Sequence, residues 1–238
     1  MDGIEILIII GAFIFTYLFF RRWYTPLFKA WPPERNMLTK IVLTLLPIVF
    51  LALITFTLKF MASFDVVNSI VYILFYIVLG YAWMYGNLFL MTLCFDLHWP
   101  DDAIHLNNKA ALAAITGEFF ALAFIYAGAN VGDGPGWWCV LFAGSLGVSA
   151  WVVLGFIINY YTGIFERITI ERNIGCGIRF CLYQFASGAI LGYGCSGDWT
   201  SFPMTIVEFK AAWPVLPLTG IYILAEIYSR RTNEREAG

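Results

Sequence analysis

Seven apolar runs divide the chain, over residues 4–20, 41–60, 67–95, 110–130, 137–161, 175–194 and 204–228. Within each run hydrophobic residues follow one another continuously instead of alternating. Most runs reach the roughly 20 residues a helix needs to cross a hydrocarbon core. A bilayer core leaves no water for unpaired peptide groups, so spans of this length form helices or closed barrels. Continuous hydrophobicity selects helices. The pattern predicts an all-α polytopic membrane bundle of about seven transmembrane helices. The first run is short and the third long, so tilt or an interfacial extension is expected at each. Pro214 and Pro217 predict a kink or local break in the seventh. Composition agrees: 13% of residues are charged, against about 25% in a soluble domain.

The polar connections set an orientation. Arg21, Arg22, Lys29, Arg35, Lys40, Lys109, Arg167, Arg172, Arg230, Arg231 and Arg235 fall on one side, which is 11 of the 14 basic residues. Asp2, Glu5, Asp65, Asp133 and Asp198 fall on the other, with only Lys59 near them. The positive-inside rule then predicts the N-terminus outside and the C-terminus cytoplasmic, as an odd helix count requires. The 21–40 segment mixes basic and aromatic residues and is expected to lie along the inner interface, with Pro32-Pro33 turning the chain into the second span. The N-terminus is acidic where a signal peptide is basic, so the first run is expected to be a retained helix. Net charge is −2, which suggests no nucleic-acid partner.

The second half repeats itself. At an offset of 64, Ile104 matches Ile168, Leu106 matches Ile170, Ala111 matches Gly175 and Ala113 matches Gly177. At an offset of 65, Gly132-Asp133 matches Gly197-Asp198, with Trp137-Trp138 and Trp199 close behind. Each unit is a hairpin that starts inside, crosses, turns and returns, so the two are parallel repeats, at about 101–163 and 166–228. The chain thus divides into an N-terminal three-helix region, 1–95, and a duplicated hairpin domain, 96–238. Pro33-Glu34-Arg35-Asn36 echoes Glu171-Arg172-Asn173, a trace of a third, degenerate hairpin at helices two and three. Asn107, Asn108, Gly117, Gly128, Arg172, Asn173, Gly175 and Gly177 carry the repeat and the expected helix packing, since small side chains let backbones approach in lipid.

Residues 96–200 resemble the bacterial inner-membrane family catalogued as domain of unknown function 350. The likeness is carried by Asp101-Asp102-Ala-Ile-His-Leu-Asn107-Asn108-Lys-Ala-Ala-Leu-Ala-Ala, by Gly117 and Ala127-Gly128-Ala129-Asn130, and by Ile170-Glu171-Arg172-Asn173-Ile-Gly175-Cys-Gly177. The resemblance implies paired-helix repeats in a bacterial inner (plasma) membrane and no defined activity.

Four of the ionisable residues within the apolar runs are candidates for function. Glu118 lies about eight residues into the fourth, roughly 12 Å deep, and Arg179 lies a few residues into the sixth. In parallel repeats they are expected to meet as a buried pair, either fixing register or relaying protons or ions. Glu208 and Lys210 open the seventh run ahead of its prolines, either as part of a broken-helix transport site or as interfacial charges. His98, Asp101, Asp102 and His105 form the nearest approach to a metal-ligating group, but their spacing matches no established class, and no metal is assigned. The five Cys have neither disulfide-framework nor zinc spacing; Cys139 and Cys195 share the outer face and are the one pair that could join in an oxidising compartment.

Walker A, G-x-G-x-x-G, H-E-x-x-H and G-x-S-x-G motifs are all absent, which weighs against an enzyme while leaving lipid chemistry open. No cofactor is expected. Two functions stay in view: a non-catalytic scaffold, sensor or complex subunit, working as a homo-oligomer or with a membrane or cytoplasmic protein partner, and an ion- or proton-coupled channel or transporter using Glu118 and Arg179. A water-accessible path lined by those two residues favours the second; a dry, packed repeat interface favours the first.

Overall fold

The computed structural model describes residues 3–29 and 36–237. Pro32, Pro33, Glu34 and Arg35 lie outside them, as do Met1 and Asp2. The described residues form an all-α bundle without β-strands. Six helices are long and apolar enough to cross a membrane: α1 (Gly3–Lys29), α2 (Met37–Phe60), α3 (Ile70–Phe95), α4 (Lys109–Ala129), α5 (Trp137–Thr162) and α6 (Ile174–Cys195). A bent pair, α7 (Phe202–Glu208) continued by a 3-10 turn to Ala212, and α8 (Val215–Ala237), is together long and apolar enough for a seventh span. The two pieces bend by 41° at the expected proline break. Pro214 and Pro217 have no N–H to give, so the backbone tightens there: Trp213 N–H donates to Lys210 and Leu216 N–H to Trp213.

Two apolar runs differ from their expected shape. The first helix continues through Arg21, Arg22 and Lys29 instead of ending near Phe20. The guanidinium of Arg22 sits over the Phe89 ring at 5.7 Å, which accommodates charge at this end. The third run is interrupted. A single turn, Phe64–Val67, ends where the Asn68 side chain folds back onto the Phe64 carbonyl, and α3 restarts from Ser69.

α4 is the centre of the bundle; 78% of its most apolar 18-residue stretch is buried. Its Ala- and Gly-rich surface explains why. At Gly117 an added Cβ would lie 2.7 Å from the Cys181 Cα, and at Gly177 one would lie 2.5 Å from the Ala110 carbonyl oxygen. Gly128 rests on the Gly192 carbonyl and Gly188 on the Ala121 backbone. These contacts advance together along both helices, so α4 and α6 run parallel. Gly175 belongs to a different environment, with Arg179 and Asn173 as its nearest neighbours.

The segments that lead into α4 and α6 make the same hydrogen bonds 65 residues apart. Asp102 N–H donates to His98 and Arg167 N–H to Gly163; Leu106 donates to Asp101 and Glu171 to Glu166; Asn108 donates to Asp102 and Asn173 to Arg167. Asn107 and Arg172 both take a left-handed backbone, φ 50° and 54°. The Asn that follows each caps its helix: Asn108 Oδ1 accepts from Ala110 and Ala111, Asn173 Oδ1 from Cys176. This spacing moves the approach segments one residue from the 64-residue alignment of small side chains. Small residues are so common here that a slip of one still finds matches, whereas a cap tolerates no slip. Asn36 caps α2 in the same way and donates to Asn107 Oδ1.

At the acidic end three turns are tied in series. Gly132 N–H donates to Met61, Gly197 N–H to Val131, and Trp199 N–H to Asp133, while Asp133 N–H donates to Asp198 Oδ1. Gly132 and Gly197 hold φ of 104° and 138°, a backbone that L side chains rarely adopt.

Candidate functional site

The most concentrated buried charge lies near the basic end, where α6, α8 and the short helix Ile164–Thr169 meet. Glu226 of α8 is fully enclosed. Arg179 of α6 grips it with two donors, Nε to Oε2 and Nη2 to Oε1, each at 2.8 Å. Arg167, from the short helix, donates through Nη1 at 2.5 Å, and the Cys176 thiol donates at 3.0 Å. Two-pronged Arg–carboxylate contacts are the strongest of their kind because the planar fork matches the carboxylate. One carboxylate therefore joins three elements of the bundle.

Arg179 thus meets a carboxylate, but not the expected one. Glu118 is buried on α4 with no hydrogen-bond partner for its Oε1 among the described residues. It stands seven residues before Ile125, on the same helical face, and that face packs against Gly147 of α5. Parallel repeats bring α4 and α6 together, but rotation about each helix axis decides which side chains meet. That rotation turns Arg179 towards α8.

Glu208 and Lys210 are both exposed, and neither side chain has an ion-pair partner among the described residues. The proline break therefore brings no charges inward. The metal-ligand candidates scatter as well. Asp102 Oδ2 accepts the His98 backbone N–H at 2.9 Å. The His98 imidazole faces Asp96 at 3.4 Å. Trp99–His105 is wound as a π-helical turn. No group of three His, Cys, Asp or Glu able to hold a metal ion occurs among the described residues. Asp102 is buried outside the spanning helices, and burial holds its carboxyl above the ordinary value despite the relief from the His98 amide and imidazole.

Cys139 and Cys195 are free thiols lining one small cavity of about 50 Å³ at the acidic end. Cys195 Sγ donates to the Ala143 carbonyl at 3.1 Å and reaches the level of Gly147.

Sequence reasoning missed Glu226, Arg167 and the Gln184–Trp151 hydrogen bond between α6 and α5. Glu226 had a readable signal: it is an ionisable residue within the last apolar run, one helical turn before the basic tail. Arg167 counts as a loop charge in a linear reading, yet only 7% of its side chain is exposed.

Fold and site together define an all-α bundle of membrane-length helices in which, among the described residues, two Arg and one Cys donate to a single buried carboxylate. Compared with known protein families, curated proteins and solved structures, the chain matches none.

Proposed function

We propose that this chain is a non-catalytic membrane scaffold or complex subunit, working with a second copy or another protein. The observation that carries the reading is the closure of α4 on α6. Gly128 against Gly192, and Gly177 against Ala110, leave the interface between the two hairpins filled by backbone. A transporter built from repeats keeps its site in that interface. In support of a tandem parallel duplication over about 101–163 and 166–228 stand the hydrogen bonds 65 residues apart and the shared Asn caps. The basic helix ends favour an outside N-terminus. The likeness to domain of unknown function 350 favours a bacterial inner membrane.

One observation favours proton- or ion-coupled transport: Oε1 of Glu118 has no hydrogen-bond partner among the described residues, and intramembrane ionisable groups often mark ion pathways. Reconstitution in vesicles carrying pH-, Na⁺- and K⁺-sensitive dyes separates the two readings. Under the scaffold reading, wild type and Glu118→Gln both match protein-free vesicles. Flux above that level in wild type, abolished by Glu118→Gln, overturns the scaffold and establishes transport.

A further inference from the structure

Glu118 is the buried acid that the Arg cluster leaves out. Only 2% of the residue is exposed, and Oε1 has no hydrogen-bond partner among the described residues. The walls around it are apolar. α5 returns antiparallel to α4, and Ile125 meets Gly147. Glu118, seven residues before Ile125, therefore stands at the level of Leu154, seven residues after Gly147. Leu154 is buried, and next to it Gly155 is closed off by the Phe95 ring. The Trp151 indole, one turn away on α5, donates to Gln184 instead. On one flank Gly117 rests on the Cys181 backbone of α6. On the other, Phe119 packs against Phe50 and Trp23.

No charge on a packed element compensates this acid among the described residues. Arg167 of the short helix and Arg179 of α6 both donate to Glu226. Asp102, in the turn ahead of α4, accepts from the His98 amide. On α3 the Tyr81 hydroxyl donates to the Pro47 carbonyl, and on α6 Tyr183 bonds Thr219. The Cys181 thiol lies beside the Gly117 backbone and carries no charge to offer. α2 between Lys40 and Lys59, and α5 between Cys139 and Tyr160, contain no titratable residue. Burial is the one influence on the Glu118 carboxyl, with no contribution from any of these groups. An ionised carboxylate in an apolar core, without counter-charge or donors, is far costlier than the neutral acid. We infer that Glu118 is a proton-binding site: the folded bundle carries its carboxyl as the neutral acid, and the stability of the α4-centred core depends on that proton. The chain thereby senses pH. The site is independent of whether the chain is a scaffold or a transporter, because a proton held in the core produces no flux.

The test uses the full chain in phosphatidylcholine nanodiscs and infrared spectroscopy at neutral pH. The expected result is a carbonyl band of a protonated carboxyl in wild type. Carboxyl-labelled glutamate shifts it, Glu118→Gln abolishes it and Asp102→Asn retains it. The label needs no change at Glu118, so the assignment does not hang on how that variant folds. Unfolding gives the second readout. The folded chain keeps the proton, whereas the unfolded chain gives it up above about pH 4.3. Stability is therefore lost as pH rises from that range: relative to Glu118→Gln, the wild-type unfolding constant increases about tenfold per pH unit, until the folded chain releases the proton as well. No protonated-carboxyl band, a band the label leaves in place, a band that survives Glu118→Gln, or parallel pH dependence of the two proteins overturns the assignment. Flux in the vesicle experiment bears on the scaffold alone and leaves this proton site standing.

Discussion

Pro47 sits inside α2, where it cannot donate to the Leu43 carbonyl one turn back. In a bilayer that orphaned carbonyl has no water to turn to. The indole of Trp23 supplies the missing donor, Nε1 to Leu43 O at 2.8 Å, and so docks α1 on α2. Trp23→Phe should therefore cost about 1–3 kcal/mol, the penalty for a buried acceptor left unmade. In a Pro47→Ala background the cost should shrink, because the alanine N–H restores the helical donor. Unfolding in mixed micelles measures both; an equal loss in the two backgrounds would refute this account. Glu226 makes a second residue-scale case. Glu226→Gln strands Arg167 and Arg179 together, and breaking a buried pair costs about 3–5 kcal/mol. Arg179→Gln combined with Glu226→Gln should cost less than the two single losses added, since the cycle removes both charges. Additive losses would mean that the pair carries no coupling.

Among the elements, the α4–α6 pair is held by what its residues lack. Small-residue stripes were legible in the sequence, and Gly117, Gly128 and Gly177 occupy the expected contact. Gly175 does not, because it lies one turn from Arg179 on a face of α6 that rotation turns away from α4, and rotation is set by all neighbours at once. Gly128→Leu should destabilise the bundle by at least about 1–3 kcal/mol, the usual range for overpacking, since the obstruction is Gly192 backbone instead of a movable side chain. Gly86 of α3 has nothing within 4 Å of an added Cβ, so Gly86→Ala should instead stabilise, by up to about 1 kcal/mol of helix propensity. Thermal unfolding of the two variants in the same detergent gives the comparison, and a reversed order would remove the packing argument. The seventh crossing shows the same division. Two prolines announced a break; beside the 41° bend, Ala212 packs closely against Gly194 of α6, a contact the prolines do not announce.

For the whole molecule, charge sorting predicts an outside N-terminus. Thr200→Cys, in a chain whose five native cysteines are replaced by alanine, should react with an impermeant thiol reagent from outside intact cells. A reporter fused after Gly238 should respond only to the cytoplasm. The opposite pattern would invert the topology. By itself the sequence determined the all-α class, the six to seven apolar spans, the proline break and the small-residue stripes. Those depend on hydrophobic length and on local backbone chemistry, both carried by consecutive residues. Tertiary structure alone decided the partners of the buried charges. Among the described residues Glu118 is left without a donor for Oε1, and Arg179 takes Glu226, 47 residues away along the chain. A linear reading gives each charge a depth in the membrane but not the direction it faces, and in a low-dielectric core that direction determines which charges pair.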